Sequence, residues 1–353
     1  MKRLFYTLLF CLPCVLIACG GSDDTLGGDD NPPVVVPPDE ETVDSRLLYN
    51  GIRLPEQWPP VRSSSSELEK GMSPFYLSNK PSVINISVGR QLFVDNFLIE
   101  STNLKRTFYY PEYYSGNPIL TPEQDWEKTG TKGAAFAAPF SDGVWYDEKE
   151  GKYKMWYMAG GGSYATNGAG ITCYAESTDG IRWTKPTLSI VAGTNIVDYN
   201  SERDASVIWM DKQESNASKR YKMFLVARES GKWRYHYKTS PDGKVWRAAA
   251  QSEPIADRST VYKNPFRNVW VYSMRHNVRV NANKLVRARD YNENADPEAG
   301  TKKAEALLSA FWFGPWANEQ RHTDYPNIAP AIYNQDATPY ESIMLGFFSV
   351  WQG

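Results

Sequence analysis

The feature that most constrains this chain is a long-period repeat. Ser177-Thr178-Asp179-Gly180-Ile181-Arg182-Trp183 recurs as Ser240-Pro241-Asp242-Gly243-Lys244-Val245-Trp246, with Asp179 and Asp242 63 positions apart. Upstream of each, Tyr153-Lys154-Met155 recurs as Tyr221-Lys222-Met223. A unit of that length holds about four short strands, and radially repeated units of this kind are the signature of propeller blades. The Asp-Gly steps suit tight hairpin turns, and the trailing tryptophan can pack between blades. Val144-Trp145-Tyr146, Tyr153 to Met158, Val207 to Met210, Tyr221 to Val226 and Val269 to Tyr272 are β-branched and aromatic runs of strand length. Only Lys302 to Ser309 reads as a helix. The expectation is an all-β chain built of blades.

Composition narrows the function classes. With 39 Lys and Arg against 41 Asp and Glu the net charge is −2, and after the extreme N-terminus no basic run is longer than a pair. Phosphate neutralisation needs a basic face, so nucleic acid is excluded as a partner. Aromatic residues make up 14% of the chain, with 22 Tyr and 12 Trp. Such residues favour β-structure and are common where sugar rings are stacked.

Met1-Lys2-Arg3, the apolar stretch Leu4 to Ile17 and Leu16-Ile17-Ala18-Cys19 read as a secretory signal peptide over residues 1–18. The last four residues resemble a bacterial lipobox, which implies lipidation of Cys19 and a membrane anchor there. Residues 19–45, rich in Gly, Asp and Pro, read as a disordered tether, residues 46–84 as an extended lead-in, and residues 85–353 as the propeller domain. The expected location is the outer membrane, facing the periplasm or the cell surface. Of four cysteines only Cys173 remains inside the folded part, in an apolar run that makes it a buried small hydrophobe. With three histidines, no disulfide framework and no serine elbow in view, neither a metal site nor a cofactor is expected.

An aspartate stands just ahead of a strand in each unit: Asp142, Asp204, Asp257 and Asp324, separated by 62, 53 and 67 residues. If each such strand is the innermost of its blade, the carboxylates converge at one end of the central channel, a geometry able to flank a glycosidic bond. Alternatively some of them cap turns or pair with Arg203, Arg258 and Arg275.

Gly89 to Ile99, Asn117-Pro118-Ile119-Leu120, Tyr153 to Tyr157, the two Asp-Gly-x-x-Trp units and Asn264-Pro265-Phe266-Arg267 together resemble secreted five-bladed propeller proteins. The resemblance is to the furanosidase-type glycoside hydrolases related to families 32 and 43, and it covers roughly residues 85 to 350. The Asp-Gly turns are also similar to the aspartate boxes of sialidases, where they serve the fold. The resemblance implies a five-bladed β-propeller and three acidic residues. Arg203-Asp204-Ala205 resembles the Arg-Asp-Pro motif, with Ala in place of Pro, which implies Asp204 as transition-state stabiliser. Asp142 then stands as base or nucleophile, and Asp257 as general acid, with Glu253 and Asp324 behind it. Arg203, Arg258, Arg275, Trp145 and Asp324 are the expected substrate-binding residues.

Five blades of about 60 residues need around 300, whereas Ile84 to Gly353 supplies 270. The expectation is a propeller incomplete at its C-terminus, in a fragment lacking its last blade. Two functions follow, a lipid-anchored glycoside hydrolase acting on an extracellular polysaccharide or a surface glycan-binding propeller without catalysis; for a third, a structural or assembly protein, nothing specific in the sequence speaks.

Overall fold

The computed structural model describes residues 44–59, 75–128, 135–160, 170–281, 284–305, 309–315 and 319–353. The signal-peptide and lipidation expectations, Cys19 included, lie outside the described residues.

The strands fall into antiparallel meanders. In the first, β1 (Ala137–Ala138), β2 (Val144–Asp147), β3 (Lys152–Ala159) and β4 (Gly170–Ser177) pair in sequence about β3, and β4 joins β5 (Ile196–Met210). The second runs from β5 through β6 (Tyr221–Glu229) and β7 (Lys232–Ser240) to β8 (Arg247–Gln251). The third comprises β9 (Thr260–Asn264), β10 (Val269–Asn281), β11 (Lys284–Asn294) and β12 (Ala310–Phe313). A hairpin of β13 (Ala331–Tyr340) and β14 (Ile343–Trp351) starts a fourth. The chain is thus all-β with the blade architecture of a propeller, and a fifth blade is not among the described strands. Strand β5 serves twice: Ile196 and Asp198 pair with β4, and Ser206 to Met210 pair with β6 as the inner strand of the next blade.

Among the described residues the helices are short: α1 (Phe75–Ser78), α2 (Asp125–Lys128), α3 (Pro297–Lys303) and one 3-10 turn, Ala217–Lys219. Helix α3 begins earlier than the sequence reading of 302–309. Asp296 caps it by accepting from the Ala299 N–H at 2.7 Å, and Pro297 occupies the first turn, where a missing N–H is harmless. Residues 85–136, counted with the propeller domain, carry no strand among the described residues.

The two Asp-Gly turns use the same hydrogen bonds. Asp179 Oδ1 accepts from the N–H groups of Ile181 (2.8 Å) and Arg182 (2.7 Å), and Asp242 Oδ1 from those of Lys244 (2.8 Å) and Val245 (3.1 Å). Ser177 and Ser240 each accept from the glycine N–H at 2.9 Å, with φ of 73° at Gly180 and 77° at Gly243. These are local motifs, which is why they repeat legibly.

The aromatic residues fill the seams between blades. Trp156 packs on Tyr174 and Tyr221 with centroids 5.5 and 5.6 Å apart, and donates its Nε1–H to the Gly243 carbonyl at 2.6 Å. Across the next seam Trp209 lies 5.9 Å from Trp270, and Phe224 5.4 Å from the same ring. Such edge and tilted contacts add specificity to the burial of large apolar area. Cys173 sits in the core of the first blade, where burial pushes its thiol up and leaves it unreactive. Glu127 of α2 is buried against that blade, held by Tyr157 Oη at 2.6 Å and Lys185 Nζ at 2.9 Å.

Candidate active site

The inner strands bring their leading ends together because a backbone bond crosses from blade to blade. The Ile208 N–H of the second blade donates to the Asp142 carbonyl of the first at 2.6 Å, while within the first blade the Trp156 N–H donates to the Gly143 carbonyl at 3.1 Å, extending the β2–β3 ladder. A Cβ on Gly143 would stand 2.7 Å from the Ile208 carbonyl, so only glycine allows this approach.

Asp142 has no exposed surface, and its carboxylate faces the Arg203 guanidinium at 2.9 Å. Arg203 donates also to Thr172 Oγ1 at 2.7 Å. Burial raises the Asp142 carboxyl above its ordinary range, against the opposing pull of Arg203. One residue on, Asp204 accepts the Arg258 backbone N–H at 2.6 Å and meets its guanidinium at 3.1 Å. Burial raises this carboxyl too, with a smaller contribution from the Asp257 charge. Arg258 has a positive φ of 57°, unusual for a non-glycine residue; Asp204 fastens its N–H, and its carbonyl accepts from Arg289 Nη1 at 2.8 Å. Asp257 pairs with Arg275, and its side chain is 31% exposed.

Of the substrate-binding expectations, Arg203, Arg258 and Arg275 fall in this cluster as partners of its carboxylates. Asp324 does not: it lies in an exposed turn with its side chain 79% open to solvent. A different aspartate completes the group. Asp336 on β13 accepts from Ser141 Oγ at 3.0 Å and Asn334 Nδ2 at 2.6 Å. Burial raises its carboxyl, and the neighbouring Asp142 charge adds to the shift. Trp145 is not a sugar platform here: its Nε1–H donates to the Ile208 carbonyl at 2.7 Å and its ring meets Trp209 edge-on at 4.7 Å, between two blades. Glu253 lies away from the carboxylates, beside Arg234.

Asp336 escaped the sequence reading because it sits inside its strand and its partner Ser141 is 195 residues away. The only sequence signal for it was the run Tyr333-Asn334-Gln335-Asp336, polar residues within an otherwise apolar strand.

Around the cluster stand Phe140 and Tyr333, whose ring centres lie 4.5 and 5.1 Å from the Arg258 guanidinium. A separate cavity of about 570 Å³ opens between the third blade, the β13–β14 hairpin and the N-terminal residues, with Tyr49, Trp58, Tyr262, Tyr291, Trp312 and Phe348 in its wall. It includes none of the four carboxylates. Among the described residues no three His, Cys, Asp or Glu side chains converge as a metal-binding group.

Chemically, the cluster offers four carboxylates in three environments: Asp142 buried and closed over, Asp204 and Asp257 tied to arginines, and Asp336 held by neutral donors. Groups whose environments differ in this way divide acid and base roles between them.

No protein-family model matches the chain, and no curated protein matches it in sequence. Among solved structures it is similar to a Bombyx mori family 32 β-fructofuranosidase, at 12% identity over 59% of this chain and 42% of that one, with a TM-score of 0.39. It is similar also to a Cellvibrio cellulosa α-L-arabinanase complexed with arabinohexaose, at 9% identity over 56% and 67% of the two chains, TM-score 0.36. A glycosyl hydrolase from Bacteroides ovatus gives 13% identity over 62% and 68%, TM-score 0.34. At these levels the strand order, and not the similarity, carries the description of the fold.

Proposed function

We propose that this chain is a propeller-type glycoside hydrolase that cleaves an extracellular polysaccharide by carboxylate acid–base chemistry. The supporting observation is the convergence of Asp142, Asp204, Asp257 and Asp336 from four separate segments, three of them pushed towards protonation by burial. Asp336 is the proton donor. Its hydrogen-bond donors, Ser141 and Asn334, are neutral, the Arg289 charge is a lesser pull against the burial that raises its carboxyl, and it keeps partial access to solvent. Asp257, paired with Arg275 and partly exposed, is the base or nucleophile. Asp204 supports the developing positive charge of the sugar ring, and Asp142 acts indirectly, holding Arg203 beside it. Cys19 is proposed as the lipid attachment site that fixes the protein to the outer membrane, with residues 19–45 as tether.

The full chain is to be incubated with a panel of plant, algal and host polysaccharides and the liberated sugars measured. Asp336→Asn should lower release by about 100-fold or more while leaving glycan binding intact, the scale of a lost general acid. Release that is unchanged in both Asp336→Asn and Asp257→Asn would overturn the assignment. A second reading, a glycan-binding propeller without catalysis, is favoured by one observation: Asp142 is sealed beneath Arg203 with no exposed surface. Binding without release from any glycan would select it.

A further inference from the structure

The face of the third blade that meets the carboxylates carries more guanidinium than those carboxylates answer. Arg275 and Arg289 stand directly opposite one another in the β10–β11 register, and Arg287, opposite Asn277, follows on the same face. Like charges placed directly across a strand pair destabilise it, so something offsets their repulsion. Arg275 has Asp257, and Arg258 beside it has Asp204. Arg289, fully buried, donates to Ser273 Oγ, the Ser273 carbonyl and the Arg258 carbonyl, and burial brings its guanidinium down to about 10.

Arg287 is left over. Among the described residues no carboxylate pairs with it, and its Nε is buried without an acceptor. Its guanidinium lies 5.4 Å from the ring centre of Tyr333 and 5.6 Å from that of Trp351. Aromatic faces attract a cation but give its N–H groups no lone pair in the guanidinium plane, so the donor is still unanswered. Arg258 packs on the same Tyr333 ring at 5.1 Å and pairs with Asp204, which places Arg287 one aromatic ring away from the acidic cluster. Five arginines (203, 258, 275, 287, 289) thus face four aspartates (142, 204, 257, 336), a positive excess inside a chain whose net charge is −2.

We propose that Arg287, walled by Tyr333 and Trp351, binds an oxyanion substituent of the saccharide, either the carboxylate of a uronosyl residue or a sulfate ester. This rests on the glycan-cleaving reading and adds the substrate class to it: an anionic polysaccharide. A planar guanidinium matches a carboxylate or sulfate edge with parallel N–H bonds; Arg287 is only half-buried, and Trp351, 41% open to solvent, presents a face for the sugar ring.

The test is calorimetric binding by the full chain, purified in detergent. The probes are uronate oligosaccharides lacking sulfate, sulfated galactan oligosaccharides lacking carboxylate, and neutral oligosaccharides of the same length. One acidic class should bind at least about tenfold more tightly than the neutral one, with a margin that shrinks as salt is added. Preference for the uronates assigns a carboxylate, and preference for the sulfated galactans a sulfate ester. Arg287→Gln should erase the margin while leaving Tm and neutral binding unchanged, and Arg287→Lys should retain part of it. Equal binding of neutral and acidic probes, or a margin that survives Arg287→Gln, overturns the proposal. Acidic binding that depends on Arg287 without cleavage of any probe keeps this proposal and sinks the hydrolase reading; no binding of any probe overturns both.

Discussion

Asp142 and Arg203 form a pair whose value depends on both members being present. Arg203 answers Asp142 and Thr172 at once, and water reaches neither charge. Removing only the guanidinium strands a buried carboxylate, so Arg203→Met should lower the unfolding free energy by about 3–5 kcal/mol. Adding Asp142→Asn in the same chain should recover much of that loss, because no uncompensated charge then remains. Urea denaturation of the two single variants and the double measures both effects. At this scale legibility followed sequence distance. Arg203-Asp204 could be read because the two are adjacent. Asp142 and Asp257 could be placed because each stands just ahead of a strand. Asp336 could not, since its chemistry depends on Ser141 from a different blade. Asp324 matched the spacing of the others, but spacing says nothing of where a turn points.

The blade is the element this chain repeats, and its turns show which parts of a repeat are equivalent. Gly180 and Gly243 share a hydrogen-bond pattern and a positive φ, yet their surroundings differ. A Cβ on Gly180 meets only the Tyr153 ring at 3.7 Å, an ordinary contact, whereas a Cβ on Gly243 would stand 2.3 Å from Trp156 Cζ2. Gly180→Ala should therefore cost about 1 kcal/mol, the strain of a left-handed alanine, and Gly243→Ala about 2–4 kcal/mol, because the buried indole must also move. Thermal unfolding of the two variants ranks them directly. The repeat, the strand runs and the hairpin turns were legible because their causes are local. The tryptophans were less so: composition suggests stacking on sugars, but the Trp145, Trp156 and Trp209 rings occupy seams between blades, and only the assembled fold decides between those uses.

For the whole molecule, the carboxylates divide into two groups with opposite pH behaviour. Asp147 is buried, which by itself raises its carboxyl, but Arg220, Tyr221 and Lys154 outweigh that and hold it well below the ordinary range. Its contribution is present above the unfolded value, near pH 4, and is lost as pH falls towards the depressed folded value. Asp142, Asp204 and Asp336 run the other way: their folded values are raised, so their contribution is complete below about pH 4 and is lost as pH rises through the folded values. Measured as Tm against pH, Asp147→Asn should flatten the acid limb. Asp336→Asn should raise Tm near neutrality by about 2 °C or more, the usual sign of a group kept for activity at the expense of stability.

Strand β5 carries one further consequence. Its first residues close one blade and its last residues open the next, without a loop between them. Under a pulling force such a shared strand leaves no weak link where the first blade could peel away on its own. The hydrogen bonds to β4 and to β6 are loaded through the same fifteen-residue rod (Ile196–Met210). Stretched between its ends in a single-molecule trap, this pair of blades should lengthen in one rupture event rather than two. A protein with that construction meets shear as a single mechanical body.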